Sequence, residues 1–468
     1  MPSSIVWFRN DLRLADNPAL IAGLGSGHPV VPVYVLDEET ESTRPPGAAA
    51  RWWLHHSLQS LDAFLHALGS RLILRRGPAE QVIAALAAEC DARTVYWNRV
   101  YDQGSRERDT RLKQALSRRS VAAESLKANL LFEPWEVTTQ AGAPFKVFTA
   151  FWRACRNLPS PGQPLPAPKR LPAPEAWPAS DRLAAWRLPP SAPDWSGGLG
   201  ASWAPGEAGA SARLVAFLDE AMARYREARD MPAADATSRL SPHIAFGEIS
   251  ARQIWRAATA RGHSAATEKF LAELGWREFA YHLLFHFGDL GQRNFRSEFD
   301  AFPWSNDGTA VEAWRRGRTG YPIVDAGMRQ LWTTGWMHNR VRMIVASFLT
   351  KDLLIDWRVG EKWFWDTLVD ADPANNAAGW QWVAGSGADA QPYFRIFNPV
   401  LQGEKFDPTG DYVRRWVPEL AGLPAETIHR PWTAEPALPP DIYPEPIVDH
   451  AVARTRALEA FRGLRRAS

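Results

Sequence analysis

The sequence has little cysteine, no long apolar run and almost no net charge. Its 468 residues include only Cys90 and Cys155, without the Cys-x-x-Cys spacing of zinc sites and redox motifs. We therefore expect no metal site and no disulfide framework, and reduced thiols are typical of a cytoplasmic protein. No apolar stretch is long enough to span a membrane, and the first residues lack the basic and apolar segments of a secretory signal.

The charge balance excludes few classes of function. The chain has 54 Lys and Arg against 52 Asp and Glu, which gives a net charge of +2. This balance does not by itself indicate a nucleic-acid ligand, although a DNA-binding protein can gather its positive charge on one face. The length is more informative, because 468 residues exceed one ordinary hydrophobic core and predict two or three domains.

Strand and helix patterns alternate in the first third of the chain. The predicted strands are Ser4–Arg9, Val30–Leu36, Arg71–Arg75, Thr94–Asn98 and Val121–Leu126. The helical stretches between them are Asn17–Gly23, Ala48–Leu68, Ala79–Cys90 and Ser105–Arg118. This alternation predicts a Rossmann-like α/β domain, with a parallel five-stranded sheet and helices on both faces. A complete glycine-rich phosphate-binding signature is missing.

A proline-rich segment separates this region from a helical one. Twelve prolines lie between Pro159 and Pro205, and repeated proline is incompatible with regular helices and central strands. From about Ser211 the apolar spacing is helical almost to the end, as in Arg213–Arg229 and Phe270–Phe287. We predict an α/β domain at 1–130, a linker at 131–210 and a larger all-α domain at 211–468.

The tract of residues 370–382 has the most informative mixture of functional groups. It contains Asp370 and Asp372, two adjacent asparagines, Trp380 and Trp382. Carboxylates suit a ribose hydroxyl or a buried arginine, amides suit a ring nitrogen, and indoles are flat and oxidisable. The mixture favours a large aromatic cofactor and electron chemistry over hydrolysis. Most of the 23 tryptophans in the chain are better explained as core residues, because each buries a large apolar area.

Two further segments contain candidate ligands of a cofactor or substrate. The hydroxyls and arginine of Thr237–Ser241, which precede Pro242, suit an anion site at a helix start, although ordinary helix capping is the better explanation of this segment taken alone. Glu273, Trp276 and Arg277 share one helix face by their spacing, and a solvated Glu–Arg pair is the alternative.

Two segments suggest contacts to a nucleic acid. Asn339, Arg342 and Met343 share one helical stripe, whereas Arg340 points elsewhere and is available for a phosphate. Near the end of the chain basic and amide side chains interleave with aromatic ones, a pattern compatible with binding a nucleic-acid backbone. The residues concerned are Arg395, Gln402 and Lys405.

Taken together, these segments resemble the photolyase/cryptochrome family of flavoproteins, and within it the photolyases of cyclobutane pyrimidine dimers. The resemblance runs from Ile5–Arg13 to Gln402–Asp407, through Thr237–Pro242, Trp336–Arg340 and Tyr393–Pro399. It implies an α/β antenna domain, a long linker and a helical domain that holds FAD, active as FADH⁻. It also implies UV-damaged DNA as the partner, no protein partner and a monomer.

The resemblance implies a role for each candidate residue. The FAD phosphates and ribose would be held by Tyr225, Thr237, Ser238, Arg239, Leu240 and Ser241. Arg342 would pair with Asp372 beside the flavin, Asp370 would lie near it, and Asn376 would face flavin N5. An electron relay to the surface would consist of Trp380, Trp357 and Trp304.

The same resemblance implies a pocket for the DNA lesion and a set of contacts to the DNA strand. The pyrimidine dimer would be bound by Glu273, Trp276, Asn339, Met343 and Trp382. The DNA strand would be contacted by Arg229, Arg277, Arg340, Arg395, Gln402 and Lys405. The dimer must leave the base stack to reach such a pocket, as photolyases require.

Particular residues distinguish the members of the family. Photolyases of the (6-4) photoproduct have two histidines where this chain has Asn339 and Met343, and cryptochromes of plants and insects have Asp or Cys in place of Asn376. These differences predict a dimer-splitting lyase, with a blue-light photoreceptor as the alternative. A third hypothesis is a flavin-free DNA-binding scaffold.

The antenna chromophore is a separate question. Gly104 and Ser105 replace the Asn-Glu pair that binds folate in one photolyase group, whereas Pro46–Leu58 resembles a bacterial group called class III. We expect methenyltetrahydrofolate rather than a deazaflavin, and an empty antenna site is the other possibility.

Overall fold

The computed structural model describes residues 2–390, 395–436 and 438–467, and it comprises two compact units. The first unit consists of Met1–Glu220, Ser238–Gly288 and Val369–Ala371, and the second of Ala221–Thr237, Asp289–Leu368 and Asp372–Ser468. The division predicted from sequence, with boundaries at residues 130 and 210, stays a prediction.

The first unit contains one parallel sheet of five strands. The strands are β1 Ser3–Phe8, β2 Val30–Leu36, β3 Ile73–Arg76, β4 Ala92–Asn98 and β5 Ala122–Leu126. Their order in the sheet is β3-β2-β1-β4-β5, and every pair is parallel. All six residues of the central strand β1 are buried, because helices cover both faces of a parallel sheet. The predicted Rossmann-like sheet is confirmed.

Alternate residues of β1 serve two hydrophobic cores. Val6 and Phe8 belong to one core, whereas Ile5 and Trp7 belong to the other, as the two-residue repeat of a strand requires. The α-helices of this unit are Pro18–Gly25, Ala48–Ala67, Ala79–Glu89, Gln103–Ser117, Phe148–Asn157, Gly197–Ser202, Glu207–Ala216, Ser241–Ala245, Ala251–Ala260 and Ala265–Phe287.

The proline-rich segment packs along the sheet of the first unit. Its backbone pairs with the α/β region, since Leu171 N donates to Leu68 O at 3.1 Å and Asp181 N donates to Leu74 O at 2.8 Å. Leu171 and Trp186 also belong to the core that includes Phe8. The segment therefore contributes apolar side chains to the α/β core, although repeated proline limits it to short helical turns.

The second unit is helical, as the sequence predicts. Its α-helices are Tyr225–Ala228, Gly308–Arg315, Pro322–Thr334, Asn339–Ser347, Trp357–Thr367, Asn375–Ala384, Pro399–Phe406, Asp411–Trp416 and His450–Ala467. The continuous helix predicted at Arg213–Arg229 is wrong, because a π-helical turn at Phe217–Ala221 and a 3₁₀ turn at Met222–Arg224 interrupt it. None of the helices in the described ranges is long and apolar enough to cross a membrane.

Candidate functional site

A buried carboxylate fixes the start of the helix Asn375–Ala384. Asp372 Oδ1 accepts hydrogen bonds from Ala374 N at 2.9 Å, from Asn375 N at 2.7 Å and from Asn375 Nδ2 at 2.9 Å. These bonds satisfy amide groups at the start of the helix that have no partner within it. The Asp372 carboxylate is therefore held in one place, close to Asn376, the second residue of this helix. The predicted pairing of Asp372 with Arg342 stays a prediction.

The amide of Asn376 has a defined orientation. Its Nδ2 donates to the backbone oxygen of Glu361 at 3.0 Å and to Glu361 Oε1 at 2.8 Å. Because both contacts are to acceptors, the nitrogen must face Glu361 and the amide oxygen must face away from it. Glu361 is buried, at 2% exposure. Asn376 thus presents a hydrogen-bond acceptor, which suits the N–H of a reduced flavin ring.

Of the three predicted relay tryptophans, only the one assigned to the surface end is accessible to solvent. Trp380 and Trp357 are buried, and Trp304 is partly exposed. The Trp357 indole N–H donates to Asn294 Oδ1 at 2.9 Å, and a parallel β-bridge joins Ser305, next to Trp304, to Ile355. This bridge places Trp304 and Trp357 in neighbouring chain segments.

Close packing surrounds Trp380. Its ring lies 4.9 Å from that of Phe364 and 6.2 Å from that of Trp314, both edge to face. A β-carbon at Gly360 would lie 2.1 Å from the Trp380 ring, so only glycine fits at that position on the helix Trp357–Thr367. The indole is therefore held rigidly.

The helix Asn339–Ser347 packs against the helix Asn375–Ala384. Its start is capped by His338, whose Nδ1 accepts from Arg340 N at 3.2 Å. Burial lowers the pKa of His338 to about 4, so this histidine is neutral at pH 7. Asn339 is exposed, and Met343, one turn later, is half-buried. These two predicted lesion contacts thus lie on one helix face.

Arg342 lies on the same helix and contacts the segment before it. Its Nε donates to the backbone oxygen of Met337 at 2.8 Å. This bond holds the guanidinium close to the start of the helix. Trp382, which the resemblance places in the lesion pocket, is half-buried on the neighbouring helix Asn375–Ala384.

The residues of the second unit that are predicted to contact the DNA strand have cationic or amide side chains, and these side chains lie at or near the surface. The Arg340 guanidinium lies 4.4 Å from the Phe406 ring, and the Lys405 ammonium lies 5.1 Å from the same ring. Gln402 is half-buried, and Arg395 is exposed. Residues 391–394, with which the Tyr393 motif begins, lie outside the described part of the chain.

The helix Ala265–Phe287 in the first unit carries Glu273, Trp276 and Arg277. The Trp276 ring stacks on Phe148 with centroids 3.7 Å apart. Glu273 is half-buried, and its Oε1 lies 3.3 Å from the Lys269 ammonium, one turn earlier. Because all three residues lie on this helix, they share one face of it, as predicted. Their roles in lesion binding stay predictions.

Arg277 pairs with a buried carboxylate. Its guanidinium donates to Glu278 Oε1 at 3.1 Å, and its side chain is 12% exposed. Glu278 Oε2 accepts from the backbone N–H groups of Leu131 and Phe132. Burial raises the pKa of Glu278 from 4.5 to about 7, although these partners favour the charged form. The assignment of Arg277 to a DNA strand stays a prediction.

The raised pKa of Glu278 predicts a pH dependence of stability. Between pH 4.5 and pH 7 the folded protein keeps a proton that the unfolded chain releases, so the free energy of unfolding should fall as pH rises. The expected fall is roughly 3 kcal/mol over this window. Glu278→Gln should flatten the dependence in denaturant titrations, whereas Glu268→Gln, an exposed control on the same helix, should leave it unchanged. Equal slopes in parent and Glu278→Gln would contradict this expectation.

The predicted phosphate loop contains one strained residue and one short helix. Arg239 has φ 51°, in the left-handed region, and its guanidinium lies 4.6 Å from the Trp203 ring. Ser238 Oγ accepts from Leu240 N at 3.4 Å, and Ser241 begins the helix Ser241–Ala245. The loop Ser238–Ser241 lies in the first unit.

The predicted site residues fall into two groups, one in each unit. The first unit contains Ser238, Arg239, Leu240, Ser241, Glu273, Trp276, Arg277 and Asp370. The second unit contains Tyr225, Arg229, Thr237, Trp304, Asn339, Arg340, Arg342, Met343, Trp357, Asp372, Asn376, Trp380, Trp382, Arg395, Gln402 and Lys405.

The residues that orient Asn376 and Trp357 could not be identified from the sequence. Glu361, which orients Asn376, lies 15 positions before it on another helix, and Asn294 binds the Trp357 indole from 63 positions away. No local spacing indicates either partner. No group of three metal-binding side chains lies close together in the ranges that the structure describes.

Comparison with known proteins identifies the family. Residues 4–170 match the DNA photolyase family, and residues 270–463 match the FAD binding domain of DNA photolyase. A deoxyribodipyrimidine photo-lyase of Agrobacterium fabrum is 53% identical over 476 residues, which cover 99% of this chain and 98% of the relative. The chain belongs to the photolyase/cryptochrome family.

Other members of the photolyase/cryptochrome family are also similar to this chain. The crystal structure of a bacterial class III photolyase from Agrobacterium tumefaciens has a TM-score of 0.96 at 52% identity, and the match covers 100% of this chain and 98% of that one. Cryptochrome-1 of Arabidopsis thaliana is 40% identical over 98% of this chain and 70% of its own length. The two Agrobacterium photolyases are thus more similar to this chain than this cryptochrome is.

Proposed function

We propose that this chain is a deoxyribodipyrimidine photo-lyase, which uses light and bound FAD to split cyclobutane pyrimidine dimers in UV-damaged DNA. The observation that carries the proposal is the amide of Asn376, whose oxygen is turned away from Glu361 by two hydrogen bonds. An acceptor that faces flavin N5 favours a reduced ring over an oxidised one, because N5 carries a hydrogen in the reduced ring and none in the oxidised ring. The 53% identity to a photo-lyase supports the same function.

The residues present suit an FAD molecule. Asn376 would accept a hydrogen bond from the N5–H of the reduced flavin. The buried carboxylates Asp370 and Asp372 would lie near the flavin with Arg342. The adenosine and phosphate part would be held by Tyr225, Thr237, Ser238, Arg239, Leu240 and Ser241. When bound, FAD supplies a photoexcitable electron donor.

The tryptophans supply electrons from the surface. Trp304 takes an electron from a solvent reductant, Trp357 passes it inward, and Trp380 delivers it to the cofactor site. Indole suits this role because it can be oxidised transiently and regenerated. The rigid packing of Trp380 against Phe364 keeps the last step at a constant distance.

The side chains that the resemblance assigns to the pyrimidine dimer have complementary chemistry. The carboxyl O–H of Glu273 donates a hydrogen bond to the pyrimidine carbonyls, and Trp276 and Trp382 stack on the dimer. Asn339 and Met343 also contact the dimer. A damaged base pair stacks poorly, so turning it out of the helix costs less than for an intact pair, which adds selectivity.

The sugar-phosphate backbone is contacted by a separate set of cations and amides. These residues are Arg229, Arg277, Arg340, Arg395, Gln402 and Lys405. Contacts of this kind position the protein on the strand but do not read its sequence. They predict binding that weakens as salt rises, because bound cations release counterions from DNA.

A repair assay tests the proposed function. Reduced holoprotein is mixed with an oligonucleotide that contains one dimer and is illuminated with blue light. Loss of the dimer in the light but not in the dark is the expected result. Unchanged dimer content would defeat the proposal, and light-dependent binding of a partner protein without repair would favour a cryptochrome photoreceptor.

The orientation of Asn376 predicts a shift in redox potential. Glu361→Leu removes one of the two acceptors that hold the amide nitrogen and leaves only the backbone oxygen, so the amide oxygen is held less firmly and its hydrogen bond to the reduced flavin weakens. We expect the two-electron potential of the bound flavin to become about 20 to 40 mV more negative. Glu361→Gln keeps a carbonyl acceptor and is the control. A potential that stays at the parent value in Glu361→Leu would show that Glu361 does not act through Asn376.

The remaining proposals concern the antenna and the state of the protein. The antenna chromophore is methenyltetrahydrofolate rather than a deazaflavin, supported by the class III resemblance of Pro46–Leu58 and the likeness to a class III photolyase. The antenna domain comprises 1–130, the linker 131–210 and the FAD-binding domain 211–468. The protein acts as a cytoplasmic monomer. An absorption spectrum before and after chromophore release tests the antenna.

A further inference from the structure

A carboxylate lies between two arginines that the proposed function assigns to the DNA backbone. Asp230 Oδ2 is 3.0 Å from Arg340 Nη2, and Asp230 Oδ1 is 3.8 Å from Arg229 Nε. The Asp230 side chain is 36% exposed, whereas those of Arg340 and Arg229 are 18% and 11% exposed. All three residues belong to the second unit. A DNA phosphate that approaches either arginine therefore meets an acidic group already in place.

Contacts with aromatic side chains also hold the two arginines in place. The Arg229 guanidinium lies 5.3 Å from the Tyr225 ring, and its Nη1 donates to the Tyr225 hydroxyl at 3.4 Å. The Arg340 guanidinium lies 4.4 Å from the Phe406 ring. Cation–π contacts of this kind hold a guanidinium in place without neutralising it. The positions of both arginines therefore do not depend on Asp230 alone.

The main effect of Asp230 is on charge. Arg229, Arg340 and Lys405 are cations at or near Phe406 and Tyr225, and Asp230 offsets one of their three charges. An arginine that already pairs with a carboxylate attracts a phosphate less strongly, because the approaching anion must share the guanidinium or displace Asp230.

We propose that Asp230 competes with the DNA phosphate for Arg340 and Arg229, and so lowers the affinity of the protein for the sugar-phosphate backbone. The inference rests on the proposed function, which assigns both arginines to DNA. The competition acts on contacts that are independent of sequence and damage, whereas the lesion pocket uses other residues. Asp230 thus shortens the stay of the protein on undamaged DNA without weakening the contacts to the dimer.

Binding of DNA to Asp230→Asn tests the proposal. The full-length FAD holoprotein is titrated, by fluorescence anisotropy and over a range of salt concentrations, with an undamaged single strand and with the same strand containing one dimer. Asp230→Asn should bind both strands about twofold to fivefold tighter at low salt. The plot of log Kd against log salt should steepen by about one unit, since one more cation releases counterions. The rate of repair at saturating DNA should equal that of the parent.

Three further variants separate competition from simpler effects. Glu312→Gln makes the same change in net charge in an exposed pair with Arg316, 2.5 Å apart, and should leave binding at the parent level. Asp230→Glu keeps the carboxylate and should bind as the parent does. In an Arg340→Ala background, Asp230→Asn should give a smaller gain than in the parent.

Two results would overturn the proposal. One is Asp230→Asn binding no tighter than Glu312→Gln, and the other is weaker binding, which would mean that Asp230 positions the arginines. If the parent splits dimers but Asp230→Asn gains no affinity, the inference about Asp230 fails alone. If the parent neither binds nor splits dimer-containing DNA, the proposed function fails with it.

Discussion

Replacing Glu273 with alanine is expected to lower the rate of dimer repair by about tenfold to a hundredfold, the loss that corresponds to a hydrogen bond with a charged partner. The radical anion of the dimer carries negative charge on its carbonyl oxygens, and Glu273 is the residue assigned to those oxygens. Repair is measured with reduced holoprotein at saturating oligonucleotide, so that a change in DNA affinity does not enter. Glu273→Gln should retain more activity, because its amide can still donate a hydrogen bond.

A matched control for Glu273 lies on the same helix. Glu268 is 44% exposed and pairs with Arg156, so Glu268→Ala changes the charge equally without touching the proposed pocket. It should repair at the parent rate. If Glu273→Ala also repairs at that rate, the lesion pocket is not formed by the helix Ala265–Phe287.

Replacing Trp380 with phenylalanine is expected to abolish light-driven reduction of the bound flavin. Benzene rings are much harder to oxidise than indoles, so the last step of the relay stops while the ring still fills the space beside Phe364 and Gly360. The measurement is the loss of oxidised flavin absorbance under blue light with a thiol reductant in solution. Chemically reduced Trp380→Phe should repair dimers as the parent does, because Trp380 is not assigned to the lesion pocket.

Trp314 offers the control for this prediction. Its ring lies 6.2 Å from that of Trp380, and it is equally buried, but it is not one of the three relay residues. Trp314→Phe should keep light-driven reduction. Normal reduction in Trp380→Phe, or equal loss in both variants, would show that the electron does not arrive by the proposed route.

The sheet could be predicted closely because its signal is local. Strand Val30–Leu36 has the predicted bounds, and the prediction Ser4–Arg9 differs by one residue at each end from the observed Ser3–Phe8. Buried parallel strands are short runs of apolar and β-branched residues, which a sequence displays directly. The third strand was less clear, since Arg71–Arg75 was predicted and Ile73–Arg76 is observed.

The helix predicted at Arg213–Arg229 shows where this local signal fails. Apolar residues recur there at helical spacing, yet the chain forms a π turn at Phe217–Ala221 before Tyr225. A π turn adds one residue to a helical turn and shifts the face of everything after it. Spacing alone cannot distinguish that shift from a continuous helix, because the apolar positions on either side remain regular.

The candidate site divides in the same way between local and long-range information. By itself the sequence determined the kinds of side chain available: an amide and an oxidisable indole one helical turn apart at Asn376 and Trp380, and basic residues among aromatics near the end. Only the tertiary structure decided that Glu361 turns the Asn376 amide and that Asp230 offsets the charge of Arg340. Helical and strand periodicity depend on neighbours within a few residues, whereas these pairings arise only when distant segments fold to within hydrogen-bonding distance.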